Sequence, residues 1–444
     1  MTRKKTGVFT AALLAAAAVL CLLTSACGAG SGRTSIPESP RKTAETALRE
    51  QLKDYIDGDT RIVWAEYDGL DEDVEAYEPS DLMVALSEEE RTTYARSTLK
   101  EQHLLGEFTE ALANRERKVC VIGMHTSILS GYDNDISMSY DGGVFRQLPY
   151  STFWMKDYQA SWGSAALEEG QPPERATIYS FEYYDLTDGQ IEEMKADIDA
   201  ETESVAACVA ADADLWQKVR TVHDELVARL SYDESFGDHC HDLYGALVNH
   251  RTVCEGYALA FAHVLDRLGV RSSVIVSDWD EDTAVSHAWN QVAGYGNDCY
   301  IDVTWDDLGY VDPSGRPYVG YDYFGLTQEE MSAVEAHGNS DGAFWVDSAE
   351  SMNYYRHEGC MLDRFDLGEV TEVLGRQYAG GANYLTVRFA DGESFQEAKT
   401  ALSDSETLSG LLGSLGCYEG GWYTFNDSVR TFSLGVGQYT VPEQ

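Results

Sequence analysis

Positive charge is what this sequence has least of. Its 444 residues hold 32 Lys and Arg against 76 Asp and Glu, a formal net charge of −44. So acidic a surface repels phosphates and anionic headgroups, which excludes nucleic-acid binding through a basic patch as the main activity. No C-x-x-C pair occurs, which excludes a zinc ribbon or a thioredoxin-type motif. There is no internal repeat, and beyond residue 26 no apolar run is long enough to span a bilayer. Apolar residues are not scarce. They make up 43% of the chain and aromatics 11%, so it can build real cores and is not a disordered acidic tail. The length suits two or three domains.

The basic residues that open the chain are grouped. Arg3, Lys4 and Lys5 precede an apolar stretch from Val8 to Leu23, too short and Ala-rich for a convincing span. Leu23-Thr24-Ser25-Ala26-Cys27 and the Gly/Ser run after it resemble a bacterial lipoprotein signal. That resemblance implies cleavage before Cys27, lipidation of its thiol, and a chain held by a lipid anchor on the extracytoplasmic face of the membrane. Residues 1–26 are then the signal peptide and 27–42 a flexible tether. Beyond Cys21 and Cys27 seven cysteines remain, at 120, 208, 240, 254, 299, 360 and 417. Export permits disulfides, and an odd count leaves one thiol over.

From residue 43 the pattern becomes globular. Residues 43–200 form an N-terminal region, with helices expected over Ala44–Tyr55 and from Ser87 to about Asn114, and strands over Lys118–Met124 and Ile178–Tyr184. From about Asp212 to Leu230, Leu215, Trp216, Val219, Val222, His223, Leu226, Val227 and Leu230 recur at helical spacing, which makes His223 a core histidine. A second helix opens at Cys254, with Tyr257, Phe261, Val264, Leu265 and Leu268 on its apolar face and Gly269 as C-cap. Val270–Val276 reads as a strand, and His287–Gly294 and Cys299–Trp305 as a hairpin turning at Tyr295-Gly296. Residues 331–364 connect this to a small α+β module at 365–444, with strands at Leu385–Phe389, Trp422–Phe425 and Val429–Leu434.

The chemistry gathers in the middle. Helix N-terminal amides and the helix dipole favour a thiolate at Cys254. His287 follows 33 residues on and Asp302 another 15. A thiol nucleophile, an imidazole base and a carboxylate to orient it make a complete acyl-transfer set. With Tyr295-Gly296 as the turn, His287 opposes Thr304 and Asp302 is its diagonal neighbour on one face. A one-residue slip would separate them.

The blocks Val253-Cys254-Glu255-Gly256-Tyr257-Ala258, His287-Ala288-Trp289-Asn290 and Tyr300-Ile301-Asp302-Val303-Thr304-Trp305-Asp306-Asp307 resemble the bacterial transglutaminase-like proteins. Val222-His223-Asp224 and Ser231-Tyr232-Asp233 resemble the stretch that precedes that core. The likeness is close over roughly 215–325, within a domain at 201–330. It implies an α+β fold with a papain-like core, the nucleophile's helix packed on an antiparallel sheet, preceded by an N-terminal α/β extension; the small C-terminal α+β module lies outside the likeness. It implies Cys254, His287 and Asp302 as catalytic residues acting on a peptide or glutamine amide without a cofactor. A side chain ahead of the nucleophile would complete the oxyanion site, and Tyr244 holds such a position, with packing under the helix as the alternative. Tyr257, Trp289 and Trp305 would line the cleft, or belong to the core. Hydrolysis is favoured over cross-linking because water competes for an open thioester. The alternative function is a catalytically silent scaffold that binds cell-wall or surface proteins.

Two other clusters lack the pattern for a metal. Asp238-His239-Cys240-His241-Asp242 has no second ligand pair at zinc-site spacing, and reads as a polar loop beside the site. Asp278, Asp280 and Asp282 begin like a calcium loop, but Thr283 and Trp289 replace its Gly and Glu.

Overall fold

The structure, a computed structural model, describes residues 38–64, 99–122, 148–165, 174–277, 287–293, 299–334, 337, 340–341, 352–417 and 420–441. Cys27, the helix start at Ser87, the acidic loop Asp278–Asp282 and the turn Tyr295-Gly296 lie outside them. The chain is mixed α+β and divides into two units between Ile191 and Glu192.

The first unit contains α1 (Glu38–Gln51), β1 (Arg61–Trp64), α2 (Leu99–Ala113), β2 (Lys118–Ile122), β3 (Met155–Ala165) and β4 (Glu174–Tyr183). The strands make one sheet in the order β1-β2-β4-β3. Strand alternation gives it two apolar faces. Val119 and Val121 pack with Leu104, Phe108 and Leu112 of α2, while Cys120 and Ile122 pack with Leu48 and Leu52 of α1. Helix α1 begins inside the stretch read as tether. Pro40 falls in its first turn, where an amide N–H would have no intrahelical partner anyway.

The second unit follows from α3 (Asp188–Ala206) through α4 (Leu215–Arg229), β5 (Ser231–Tyr232), α5 (Leu243–Leu247), β6 (Arg251–Thr252), α6 (Cys254–Arg267), β7 (Arg271–Ser277), β8 (Ala288–Ala293), β9 (Cys299–Ile301), α7 (Val303–Asp306), β10 (Asp307–Val311), β11 (Pro317–Val319), β12 (Phe324–Leu326), α8 (Gln328–Ser332) and β13 (Ser340–Asp341). A five-stranded antiparallel sheet runs β12-β9-β8-β7-β13. β13 shows that this sheet extends past residue 330. Tyr257, Phe261, Val264 and Leu265 are buried along α6, as their spacing predicts.

The remainder comprises α9 (Tyr354–His357), β14 (Met361–Leu362), α10 (Leu367–Ala379), β15 (Tyr384–Phe389), α11 (Gly392–Leu402), α12 (Ser405–Leu415), β16 (Gly421–Asn426) and β17 (Thr431–Val436). Its sheet is ordered β14-β15-β17-β16. The paired strands β16 and β17 match the expected hairpin, with Asn426 opposite Thr431.

The expected register of the central hairpin holds: Asn290 pairs with Ile301, Gln291 with Tyr300 and Val292 with Cys299. Its expected length does not. The ladder stops at Ile301, so Thr304 never comes opposite His287. Asp302 leaves the sheet by donating its N–H to Tyr323 O (3.1 Å), and its side chain caps α7 by accepting from Trp305 N (3.1 Å). An Asp that caps a helix ends the strand before it.

Candidate active site

Cys254 is the first residue of α6, and it is partly exposed. The residue before it, Val253, has no side-chain oxygen to accept the first amides of the helix. By contrast α4, α5, α7, α8, α9, α10, α11 and α12 all start on an Asp, Asn or Thr that does accept them. The open amides of α6 therefore remain to stabilise negative charge on or beside the sulfur. The helix start is pinned from behind. Val253 N and Thr252 Oγ1 both donate to Cys240 O, at 2.9 and 2.7 Å. A Cβ on residue 256 would overlap the Thr252 side chain, which is why glycine stands there.

His287 stands at the head of β8 and Asp302 at the end of β9. His287 is 6% exposed and Asp302 0%. His287 Nε2 lies 2.6 Å from Asp302 Oδ2. Asn290, on the same strand, donates from Nδ2 to Ala258 O (2.9 Å), which ties β8 to the nucleophile's helix. Burial opposes a charge on His287. The Asp302 charge and hydrogen bond, with the hydrogen bond to Cys254, outweigh it and raise the imidazole to about 10. Burial likewise opposes ionisation of Asp302, and the charge and hydrogen bond of His287 overcome it, holding the carboxyl well below the usual range. His287 and Asp302 meet as expected.

The expected cleft lining is only partly correct. Trp305, 36% exposed, lies 5.2 Å ring to ring from His287. Beside it a groove of about 390 Å³ runs past Tyr323 to Thr424, Phe425 and Asn426 of β16. Trp289 is instead core, 1% exposed, in a cluster with Ile275, Tyr300 and Leu326. Tyr257 is also fully buried and donates its hydroxyl to Asp307 Oδ2 at 2.5 Å. Both residues fall on the inward face of their element, and periodicity overrides motif position.

Tyr244 is half-buried. Its ring lies 5.3 Å from that of His239, and its acidic neighbours are Asp197, Glu193 and Asp242. Tyr232 ends β5. It is 40% exposed, and after burial the charges it feels most are those of Cys254 and Cys240, then Asp302, which together raise its pKa to about 12. The loop at 238–242 is polar, as expected, but His239 has a φ of 66°, which breaks the extended alternation. His239 pairs with Asp242 (2.7 Å) and His241 with Glu255 (3.3 Å).

Sequence reasoning missed His337. It is 1% exposed, and its Nε2 lies 2.9 Å from the same Asp302 Oδ2. Its chain position, between α8 and β13, carries no motif or period that could have flagged it. His287, Asp302 and His337 are grouped closely enough to hold a metal ion. The N–O separations of 2.6 and 2.9 Å are nonetheless hydrogen-bond lengths. Two ligands of one tetrahedral zinc stand about 3.3 Å apart. The arrangement is one of protons shared with a carboxylate.

His223 is indeed a core histidine, and carboxylates flank both of its ring nitrogens. Its Nδ1 lies 2.9 Å from Asp224 Oδ1 and its Nε2 3.3 Å from Asp306 Oδ2. Asp306 Oδ1 in turn accepts Tyr323 N (3.0 Å), so this ion pair supports the floor of the site. Burial opposes the imidazolium, but the two carboxylates outweigh it and raise His223 to about 9; burial pushes Asp306 up to about 6, so it is ionised above that. A folded value above the ordinary 6.5 contributes stability that is complete below pH 6.5 and is lost as pH rises through about 9. Wild-type unfolding free energy should therefore drop across that window relative to His223→Gln, by up to about 3 kcal/mol. Denaturant titrations at both ends of the window measure this. Equal pH slopes for the two proteins would remove the assignment.

All seven described cysteines are free thiols. Only Cys208 is exposed. Its pKa is raised by burial and by Glu225, and it lies near Arg229. Among the described residues no helix is long and apolar enough to cross a membrane.

No protein-family model matches this chain, and no curated protein does. Several solved structures are similar to part of the chain at low TM-score. A TGase crystal structure is 15% identical over 42% of this chain and 50% of its own, with a TM-score of 0.23. A structure described as a candidate cysteine protease from Cytophaga hutchinsonii is 12% identical over 34% of this chain and 65% of its own, at 0.22. Menin, crystallised to show its binding site for the Mixed Lineage Leukemia protein, is 19% identical over 44% of this chain and 43% of its own, at 0.22. The chain thus spans about half the length of the first of these and under half of the last.

Proposed function

We propose that this protein is a transglutaminase-like cysteine hydrolase that cleaves peptide or glutamine amides through a thioester. One observation carries the reading: a single buried imidazole is bonded to Asp302 at 2.6 Å, and Cys254, which opens α6, is among the groups that raise it. In this mechanism the Cys254 thiolate attacks the amide carbon. The oxyanion is met by the Cys254 N–H. His287 Nδ1–H then protonates the leaving amine, and the C–N bond breaks to give a thioester. Water enters and gives its proton to His287, its hydroxyl displaces the sulfur, and the carboxylic acid leaves. Hydrolysis is favoured over transfer to a second amine because Cys254 is partly exposed and the groove beside Trp305 is open. A peptide-library digest of the purified protein, with Cys254→Ala as control, tests this. Products cross-linked through an isopeptide bond, with no new carboxyl termini, would replace hydrolysis by transfer.

We also propose that the chain is tethered through Cys27 on the extracytoplasmic face of the membrane, as residues 23–27 suggest. Mass spectrometry of the native N-terminus should find a diacylglyceryl cysteine, and Cys27→Ala should release the protein from membranes. A native N-terminus at another residue would end this proposal.

A further inference from the structure

The Asp302 carboxylate receives three donors. Oδ2 takes His287 Nε2 at 2.6 Å and His337 Nε2 at 2.9 Å, and Oδ1 takes Trp305 N at 3.1 Å. His287 is accounted for by the proposed chemistry and Trp305 N by the cap of α7. His337 is used by neither. Its ring is packed on several sides: Trp289 lies 4.6 Å away, Trp305 4.7 Å and His287 5.1 Å between ring centroids. Its other nitrogen, Nδ1, is buried with no hydrogen-bond partner.

We propose that His337 is a positioning residue of this site, a neutral imidazole that locks the Asp302 carboxylate toward His287. The inference rests on the acyl-transfer reading above. A carboxylate oxygen only accepts, so His337 must carry a proton on Nε2 to bond to it. A second proton on Nδ1 would be a buried cationic donor with nothing to meet, which is costly. Burial is also the largest influence on this ring and keeps it below the ordinary histidine value, despite the pull of Asp302. A neutral donor suits the task. It fixes the carboxylate's rotation without competing for the negative charge that His287 needs. A cation at the same place would share that charge and weaken the imidazolium.

The test separates the hydrogen bond from the volume of the ring. His337→Gln keeps an N–H donor of similar reach, and His337→Leu fills the space without one. Both are made in full-length protein carrying Cys208→Ser, so that iodoacetamide reports on Cys254, and alkylation is followed from pH 5 to 10. The Leu variant is expected to lose about 10- to 100-fold in alkylation rate at neutral pH, with KM for a cleaved peptide little changed. The Gln variant should stay within about threefold of wild type at equal melting temperature. A Leu variant that reacts like wild type, or a Gln variant as slow as Leu while still folded, would overturn the proposal. So would loss of wild-type reactivity in EDTA restored by zinc, since the imidazoles would then be ligands. His287→Ala is the control for the underlying reading. If it leaves alkylation unchanged, that reading fails and this proposal with it; if it slows alkylation while Leu does not, only the role of His337 fails.

Discussion

Cys254→Ala should abolish amide cleavage, by about 10⁴-fold or more, while each of the other six described thiols can be replaced with little loss of rate. Nothing else in the site can form a thioester. Cys120 and Cys360 are buried thiols whose surroundings push them up to about 12, and Cys208, though exposed, is likewise pushed up. His287→Ala should cost nearly as much as Cys254→Ala, because nucleophile and base act as a unit. The pH profile carries a second signature. Alkylation of Cys254 should slow in His287→Ala, and cleavage should fall on an alkaline limb near the His287 value of about 10. The His287–Asp302 pair stays charged until pH approaches about 10, and the stability it adds is complete below 6.5 and lost as pH rises through about 10. An alkylation rate that climbs steadily through pH 8.5 and ignores His287→Ala would leave Cys254 an ordinary thiol on a scaffold.

Asp302→Asn should cost about 10³- to 10⁴-fold in kcat with KM nearly constant. Three N–H groups converge on this carboxylate. An amide has one acceptor oxygen and brings an NH₂ of its own, so some donor must face a donor. The simplest relief is for His287 to move its proton to Nδ1, which leaves no lone pair to act as base toward the sulfur or water. Without the carboxylate charge the imidazole should also fall from about 10 toward its ordinary 6.5, and the alkaline limb should move down with it. Steady-state kinetics across pH measure both effects. Full activity in the Asn variant would show that Asp302 serves only as the cap of α7.

The parts of this molecule that were legible in the sequence are those with a local period. Helix α6 announced itself through Tyr257, Phe261, Val264 and Leu265, and the register of β8 on β9 followed from one turn. That same period placed Tyr257 on the buried stripe, and reading it as a cleft residue let a motif overrule the spacing. His337 was invisible for another reason. Its role comes from a contact 35 residues away in sequence, and such contacts leave no pattern in the stretches that make them.

The bare start of α6 has a thermodynamic side. A Ser or Asp in place of Val253 would supply the missing cap, a change ordinarily worth about 1 kcal/mol of stability. The new oxygen would also take up the amides that now face the sulfur, where an oxyanion would form. The fold therefore forgoes a readily available gain at the one helix where making it would disarm the nucleophile. This is the trade between stability and activity expected where a reactive group is built from unsatisfied backbone.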